Sequence, residues 1–306
     1  MTIAGAAVFA GADWGTSNMR LWLFGANGSV VSERRSDEGM SALSGSSAFA
    51  AVLERHLDAL GAPRDLPVVA CGMVGARQGW IDAGYGELPA RLDALAETAV
   101  RAPEARRDVR ILSGLAQLDP PDVMHGEETK LAGASGAIGA GRRLVLMPGT
   151  HSKWARIEDG AITGFRTAMT GELFAVLGEA SILRHSSDGA PADPQGAAFR
   201  SWVETGLSEA ANLPSLLFRI RAAGLGGRLS ASAAASALSG LLIGAEIAGA
   251  PGDMDVLLIS GGALLPLYRA ALQIADRSFE EIDADDAVRR GLFTAGRNLF
   301  LRGAVA

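Results

Sequence analysis

The turn Asp13-Trp14-Gly15-Thr16-Ser17-Asn18 combines a carboxylate, a glycine and three side chains able to hydrogen-bond. It lies between the apolar runs 6–12 and 21–24, so the carboxylate falls at a strand end in the first turn of a hairpin. A glycine there lets an anion approach the backbone, and amides and hydroxyls in the turn can face phosphate oxygens. The same arrangement returns at Pro148-Gly149-Thr150-His151-Ser152-Lys153-Trp154, after Leu144-Val145-Leu146-Met147 and before a hairpin that turns at Glu158-Asp159-Gly160. A third glycine turn, Ser260-Gly261-Gly262-Ala263, ends the buried run 255–259. Two phosphate-gripping hairpins predict a duplicated fold with a nucleotide site between its halves.

The elements that must position these turns follow from periodicity. After the first hairpin, Phe49, Val52, Leu53, Leu57 and Leu60 recur at helical spacing, and the helix ends at Gly61 and Pro63. A buried strand spans 68–71. A long loop over 72–89 is expected to expose Arg77, Gln78, Trp80 and Tyr85. A short strand at 110–112 and a helix from Glu127 precede the second hairpin. Helices are expected near 170–177, 199–206, 213–223, 230–248, 264–275 and 284–301, with 230–248 rich in small residues that permit close packing. This order describes mixed sheets covered by helices rather than a simple alternating wind.

The 306 residues, 48% of them hydrophobic, suffice for two domains with a core each. A net charge of -6 and a pI near 5.3 argue against a nucleic-acid partner. The lone cysteine, Cys71, cannot form an internal disulfide and reads as buried packing, which suits a cytoplasmic location. The sequence suggests neither a signal peptide nor a membrane partner, since the apolar stretch 238–250 contains Glu246. The four histidines lack metal-ligand spacing, and no P-loop, dinucleotide fingerprint or nucleophile elbow is found.

The three glycine turns resemble those of the sugar kinase, actin and hsp70-type ATPase superfamily, in which two phosphate loops and an adenosine loop surround ATP. With Gly126-Glu127-Glu128-Thr129, Met169-Thr170-Gly171-Glu172-Leu173-Phe174 and Leu238-Ser239-Gly240-Leu241-Leu242-Ile243-Gly244-Ala245-Glu246, they resemble the 2-dehydro-3-deoxygalactonokinase family along the whole chain. The resemblance implies an α/β fold of two ribonuclease-H-like (actin/hexokinase-type) domains. Each would be a mixed β-sheet flanked by helices, over 1–125 and 126–306, with an interdomain cleft that closes on its substrates. It implies transfer of the ATP γ-phosphoryl to the terminal 6-hydroxyl of 2-dehydro-3-deoxy-D-galactonate, giving the 6-phosphate, with ATP and Mg²⁺ required and a homodimer allowed.

Within that family, phosphoryl transfer needs positioning and charge neutralisation. Asp13 takes the metal role, through water. Gly15, Thr16, Ser17, Gly149, Thr150 and Ser152 would cradle phosphates, with Lys153 as an added cation and Gly261 and Gly262 at the adenosine. In related sugar kinases the base is a carboxylate after a glycine at a helix start, which points to Glu127, 22 positions before Gly149, with Glu128 as the neighbouring alternative. A keto acid favours an arginine, and Arg20, Arg77 and Arg166 are the candidates, with Arg77 first beside Gln78 and Trp80. Asn18 and Glu172 could meet sugar hydroxyls. The alternatives are a kinase for another keto-deoxy or aldonic acid and a non-catalytic sugar-acid sensor. An actin- or chaperone-like ATPase would need insertions for which this chain has no room.

Overall fold

The computed structural model describes residues 6–301 apart from Asp188 and Asp253. In chain order it runs β1 (Phe9–Trp14), β2 (Met19–Phe24), β3 (Val30–Ser36), α1 (Ser46–Ala59), β4 (Val68–Cys71), β5 (Tyr85–Glu87), β6 (Ala90–Arg91), β7 (Val100–Arg101), β8 (Val109–Ile111), β9 (Gly114–Gln117), β10 (Asp122–Met124), α2 (Glu127–Gly133) and α3 (Ser135–Ile138). It continues with β11 (Arg142–Met147), β12 (Ser152–Glu158), β13 (Ala161–Ala168), α4 (Thr170–Ala180), α5 (Arg184–Ser187), α6 (Ala197–Glu209), α7 (Leu213–Leu225), α8 (Ala231–Ala248), β14 (Val256–Ser260), α9 (Leu264–Ile274), β15 (Phe279–Asp283) and α10 (Ala284–Phe300).

The chain forms two compact units. The first takes the described residues up to Gly141, Arg156–Phe165 and the described residues from Asp283 onward; the second takes Arg142–Ala155 and Arg166–Ile282. The sequence-expected boundary at 125/126 is therefore corrected. Residues 126–141 and the last helix both belong with the first sheet, because α2 and α10 cross closely there. A Cβ on Gly133 would collide with the Ala287 carbonyl, and one on Gly291 with the Thr129 carbonyl. No periodicity along the chain announces that its last helix returns to its first sheet.

Unit 1 is built on a six-stranded sheet in the order β3-β2-β1-β4-β8-β7. β1 pairs antiparallel with β2 and parallel with β4. Strand alternation sends Ala10, Ala12 and Trp14 to one face, where they pack with Phe49, Leu53 and Leu57 of α1. It sends Phe9 to the other, with Trp22, Phe24, Val69 and Cys71 against Val288 and Leu292 of α10. Both faces are covered, so the strands read as nearly continuous apolar runs. Asp13 shares the Phe9 face at the strand end. Asp283 caps α10, its carboxylate accepting from the amides of Asp285 (2.9 Å) and Asp286 (3.0 Å). The segment read as one long loop contains β5, which joins β9 and β10 in a small three-stranded sheet. Strands of three or four residues carry too little alternation to be seen in sequence.

A second sheet has β15, β14, β11, β12 and β13 as successive neighbours, with β11 and β14 parallel. The order β3-β2-β1-β4 of unit 1 thus recurs as β13-β12-β11-β14, the duplication that the two hairpins predicted. Each unit is a mixed sheet flanked by helices. α8 is buried through Leu238, Leu241, Ile243 and Ile247. Its close contact with α6 depends on small residues, since a Cβ on Gly240 would sit 2.5 Å from the Phe199 carbonyl. Among the described residues α8 is the one helix long and apolar enough to cross a bilayer, and 72% of it is buried inside the protein.

Candidate active site

In unit 1 the first glycine turn closes on itself. The Gly15 amide donates to the Asn18 carbonyl (2.9 Å), so the turn consumes an amide that sequence reasoning had offered to phosphate. The carbonyls of Gly15 and Thr16 accept from the amides of Met40 and Ser41 (both 2.9 Å), which brace the turn from behind. The side chains of Thr16, Ser17 and Asn18 are exposed. Gly15 is not demanded by packing: a Cβ there would meet only the Asn18 carbonyl, at 3.6 Å.

Asp13 lies opposite Arg20 in the β1–β2 register, and Arg20 Nη2 donates to Asp13 Oδ2 at 2.5 Å. Arg20 Nη1 also donates to Asp285, whose second oxygen accepts from Arg35 at 2.7 Å. Arg20 is therefore committed to two carboxylates of its own chain, and its candidacy as a substrate-carboxylate ligand is corrected. Asp13 Oδ1 lies 3.9 Å from Cys71 Sγ. Burial, then the charges of Asp13 and Glu128, push the Cys71 thiol up, leaving it protonated and inert.

Gly126 brings the base candidates to this strand end. Its φ of +113° belongs to glycine, and a Cβ would lie 3.0 Å from the Gly72 Cα. Glu127 is half-buried, and its Oε2 accepts from the His125 amide at 3.0 Å. Glu128 turns inward: it is 1% exposed and takes the Gly126 amide on both oxygens, at 2.9 and 2.7 Å. Burial, then the adjacent Glu127 charge, push its carboxyl up to about 7. Sequence reasoning placed these neighbours together; only the structure sends one inward and leaves the other within reach of solvent.

Of the expected acid-binding group, Arg77 and Gln78 are exposed. Trp80 is not. It is 3% exposed, stacks on Phe49 at 6.0 Å and donates from Nε1 to the Pro103 carbonyl at 3.1 Å. The expectation that Trp80 faces substrate is corrected, because its ring completes the core under α1. Sequence reasoning missed His125, whose ring nitrogens are buried without a protein partner and whose ring meets Tyr85 edge-on at 5.5 Å.

In unit 2 the second glycine turn opens onto a cavity of about 390 Å³. Gly149, Thr150, Thr170 and Gly171 form its polar end; Phe174, Leu242, Ile243, Leu264, Leu267 and Tyr268 are among its apolar walls. The volume is that of a small-molecule pocket, and its character, apolar with a polar end, suits a flat base carrying an anionic tail. A Cβ on Gly149 would meet nothing closer than the His151 carbonyl at 3.6 Å, so this glycine also is not required by packing. Gly261 and Gly262 follow β14, Gly262 with φ +56°, and lead into α9, whose N-cap Ala263 and first-turn residues Leu264 and Leu267, rather than the glycines, line the wall. Those apolar helix positions carry no motif and were missed.

Three further residues move from their expected places. Ser152 is fully buried, its Oγ 2.8 Å from the Tyr268 hydroxyl, so its side chain lies below the turn rather than on a phosphate. Lys153 is 5% exposed and donates to Thr167 Oγ1 at 2.7 Å, within the unit rather than toward solvent. Arg166 donates to the carbonyls of Gly249 and of Glu246 (3.1 Å), closing the C-terminal end of α8, which corrects its substrate candidacy. Glu172, in the first turn of α4, accepts from His151 Nε2 at 2.5 Å, and its amide donates to the Thr150 carbonyl at 3.0 Å.

The family model described as 2-keto-3-deoxy-galactonokinase matches residues 13–295. A relative named probable 2-dehydro-3-deoxygalactonokinase, from Rhizobium meliloti (strain 1021), is 48% identical over 307 residues, covering 98% of this chain and 99% of its own. The 2-dehydro-3-deoxygalactonokinase of Escherichia coli (strain K12) is 36% identical over 289 residues, covering 92% and 94%. The crystal structure of a "putative 2-dehydro-3-deoxygalactonokinase protein" from Sinorhizobium meliloti superposes with a TM-score of 0.91 at 46% identity, over 95% of this chain and 99% of that one. A family match spanning both glycine turns, the Gly126-Glu127-Glu128-Thr129 segment and the wall of the unit 2 cavity places the chain in the 2-keto-3-deoxy-galactonokinase family, and the protein is a carbohydrate kinase.

Proposed function

We propose that the protein transfers the γ-phosphoryl group of ATP to the 6-hydroxyl of 2-dehydro-3-deoxy-D-galactonate, giving the 6-phosphate and ADP. The observation that carries the nucleotide half is the unit 2 cavity, apolar along its length and ending at Gly149 and Thr150. The base and ribose occupy the apolar part, and the phosphates lie at its polar end, by Gly149 and Thr150. In unit 1, Arg77 and Gln78 recognise the substrate carboxylate and Asn18 its hydroxyls. Glu127, the carboxylate that solvent reaches, accepts the proton of the 6-hydroxyl as its oxygen bonds to the γ-phosphorus and the bond to the ADP oxygen breaks. The single, free, buried cysteine suits a cytoplasmic enzyme, and at an acidic net charge its small anionic ligands are met by local donors.

Among the described residues no group of three or more His, Cys, Asp or Glu side chains could hold a metal by itself. Mg²⁺ needs only one or two protein carboxylates when nucleotide phosphates and waters complete its shell, and Asp13 fits that requirement through water, with Oδ2 already held by Arg20. There the ion would neutralise charge on the β- and γ-phosphates.

The test is ADP release with Mg-ATP and 2-dehydro-3-deoxygalactonate, its gluconate epimer or a neutral hexose, in the wild type and in Glu127→Gln and Glu128→Gln. Strong preference for the galactonate form, with turnover lost in Glu127→Gln and kept in Glu128→Gln, is expected. Equal use of both epimers would make this a broader keto-deoxy acid kinase, loss confined to Glu128→Gln would reverse the base, and no substrate-dependent ADP would leave a sensor.

A further inference from the structure

Below the polar end of the unit 2 cavity lies a closed hydrogen-bond network around one buried carboxylate. Glu246 of α8 is 6% exposed. Trp154 Nε1 donates to its Oε1 at 2.8 Å, the Tyr268 hydroxyl donates to its Oε2 at 2.7 Å, and Thr170 bonds to it as well. The one proton of Tyr268 goes to Glu246, so at 2.8 Å Ser152 Oγ is the donor to Tyr268, and the bonds run from Ser152 through Tyr268 to the carboxylate. Burial pushes the Glu246 carboxyl up, while hydrogen bonds, from Thr170 first and then from Tyr268 and Trp154, pull it down. A carboxylate in an otherwise apolar helix is an expensive way to fill space, and a leucine or methionine would pack at lower cost.

What the network joins gives it a role. Glu246 does not line the cavity, yet Tyr268 and Thr170 do, and Ser152 follows the lining residue Thr150 by two positions. Its partners come from three elements: β12, which leaves the phosphate turn, the first turn of α4, and α9. The α4 contact is tight, since a Cβ on Gly171 would sit 2.5 Å from the Gly149 carbonyl.

We propose that Glu246 is a positioning residue for the nucleotide: through Tyr268, Thr170 and Ser152 it fixes the phosphate turn, α4 and α9 relative to one another, so that ATP meets a preformed pocket. This rests on reading the unit 2 cavity as the nucleotide site. Losing preorganisation weakens nucleotide binding more than transfer itself, because the ordering must then be supplied on binding.

The full chain carrying Tyr268→Phe or Glu246→Gln is compared with wild type by ATP titration calorimetry, by steady-state KM and kcat, and by the Tm of the nucleotide-free protein. Tyr268→Phe keeps the ring in the wall and removes only the hydroxyl. The expected result is a rise of about fivefold to tenfold in the Kd and KM for ATP in both variants, with kcat and the KM for the sugar acid within about twofold of wild type. Thr170→Ser, which keeps the hydroxyl, should retain ATP affinity where Thr170→Ala loses it. A lowered Tm with unchanged ATP affinity would show a merely structural network and overturn the proposal. Absence of ATP binding by the wild type would overturn the nucleotide reading and the inference together. Should Glu246→Gln not fold, Tyr268→Phe and Ser152→Ala decide the matter by the same readouts.

Discussion

Replacing Glu128 by Gln should reshape the pH dependence of stability. The Glu128 side chain is buried, takes the Gly126 amide on both oxygens and accepts from Thr129 Oγ1 at 3.3 Å. Burial, followed by the Glu127 charge, moves its carboxyl from 4.5 up to about 7. A carboxyl whose folded value lies above its unfolded value takes up a proton on folding between the two, so stability falls as pH rises from 4.5 through about 7. The full penalty, reached above that range, is about 3 kcal/mol at 1.36 kcal/mol per unit. Glutamine keeps the shape and can still accept from Gly126, but does not titrate. For a domain of this size each kcal/mol moves Tm by about 2–4 °C, so between pH 5 and 8 the variant should gain roughly 5–10 °C on the wild type. Scanning calorimetry of both proteins at one-unit pH steps and constant ionic strength measures this. Parallel Tm curves would refute the reasoning, because they would mean that Glu128 carries the same charge in the folded and unfolded chain.

The glycines divide into two groups that one substitution separates. Gly149→Ala should keep Tm nearly unchanged while raising the KM for ATP roughly tenfold, about 1.4 kcal/mol of lost binding, since the open side of the turn is where a phosphate would approach. Gly133→Ala, at the crossing of α2 and α10, should instead cost about 3 kcal/mol or more in thermal or urea unfolding, because backbone atoms cannot move aside. The arginines divide in the same way: Arg166→Ala should lower stability by about 1 kcal/mol, by freeing carbonyls at the end of α8, and leave the KM for the sugar acid alone. Arg77→Ala should leave Tm alone and raise that KM roughly tenfold. A change of sugar-acid KM in Arg166→Ala would restore it as a substrate ligand.

The local chemistry and the elements nearest to it were legible in the amino-acid order. Strand ends at Asp13 and Met147, the helix begun by Gly126-Glu127 and the buried run before Gly261 are legible because apolar runs and glycine turns are local signals that tertiary contacts did not override. The small-residue stretch of α8 foretold its close packing in the same way. Tertiary structure alone decided which polar and aromatic side chains remain available. Trp80, Arg20, Arg166, Ser152 and Lys153 each carry the right chemistry in the right motif, and each meets a partner brought from another element: Pro103, Asp285, Gly249, Tyr268 and Thr167. The course of α10 back to the first sheet, and the inward turn of Glu128 beside its outward neighbour, belong to the same class. Burial and hydrogen bonding between residues distant in the chain depend on packing, and packing leaves no period along a single sequence to read.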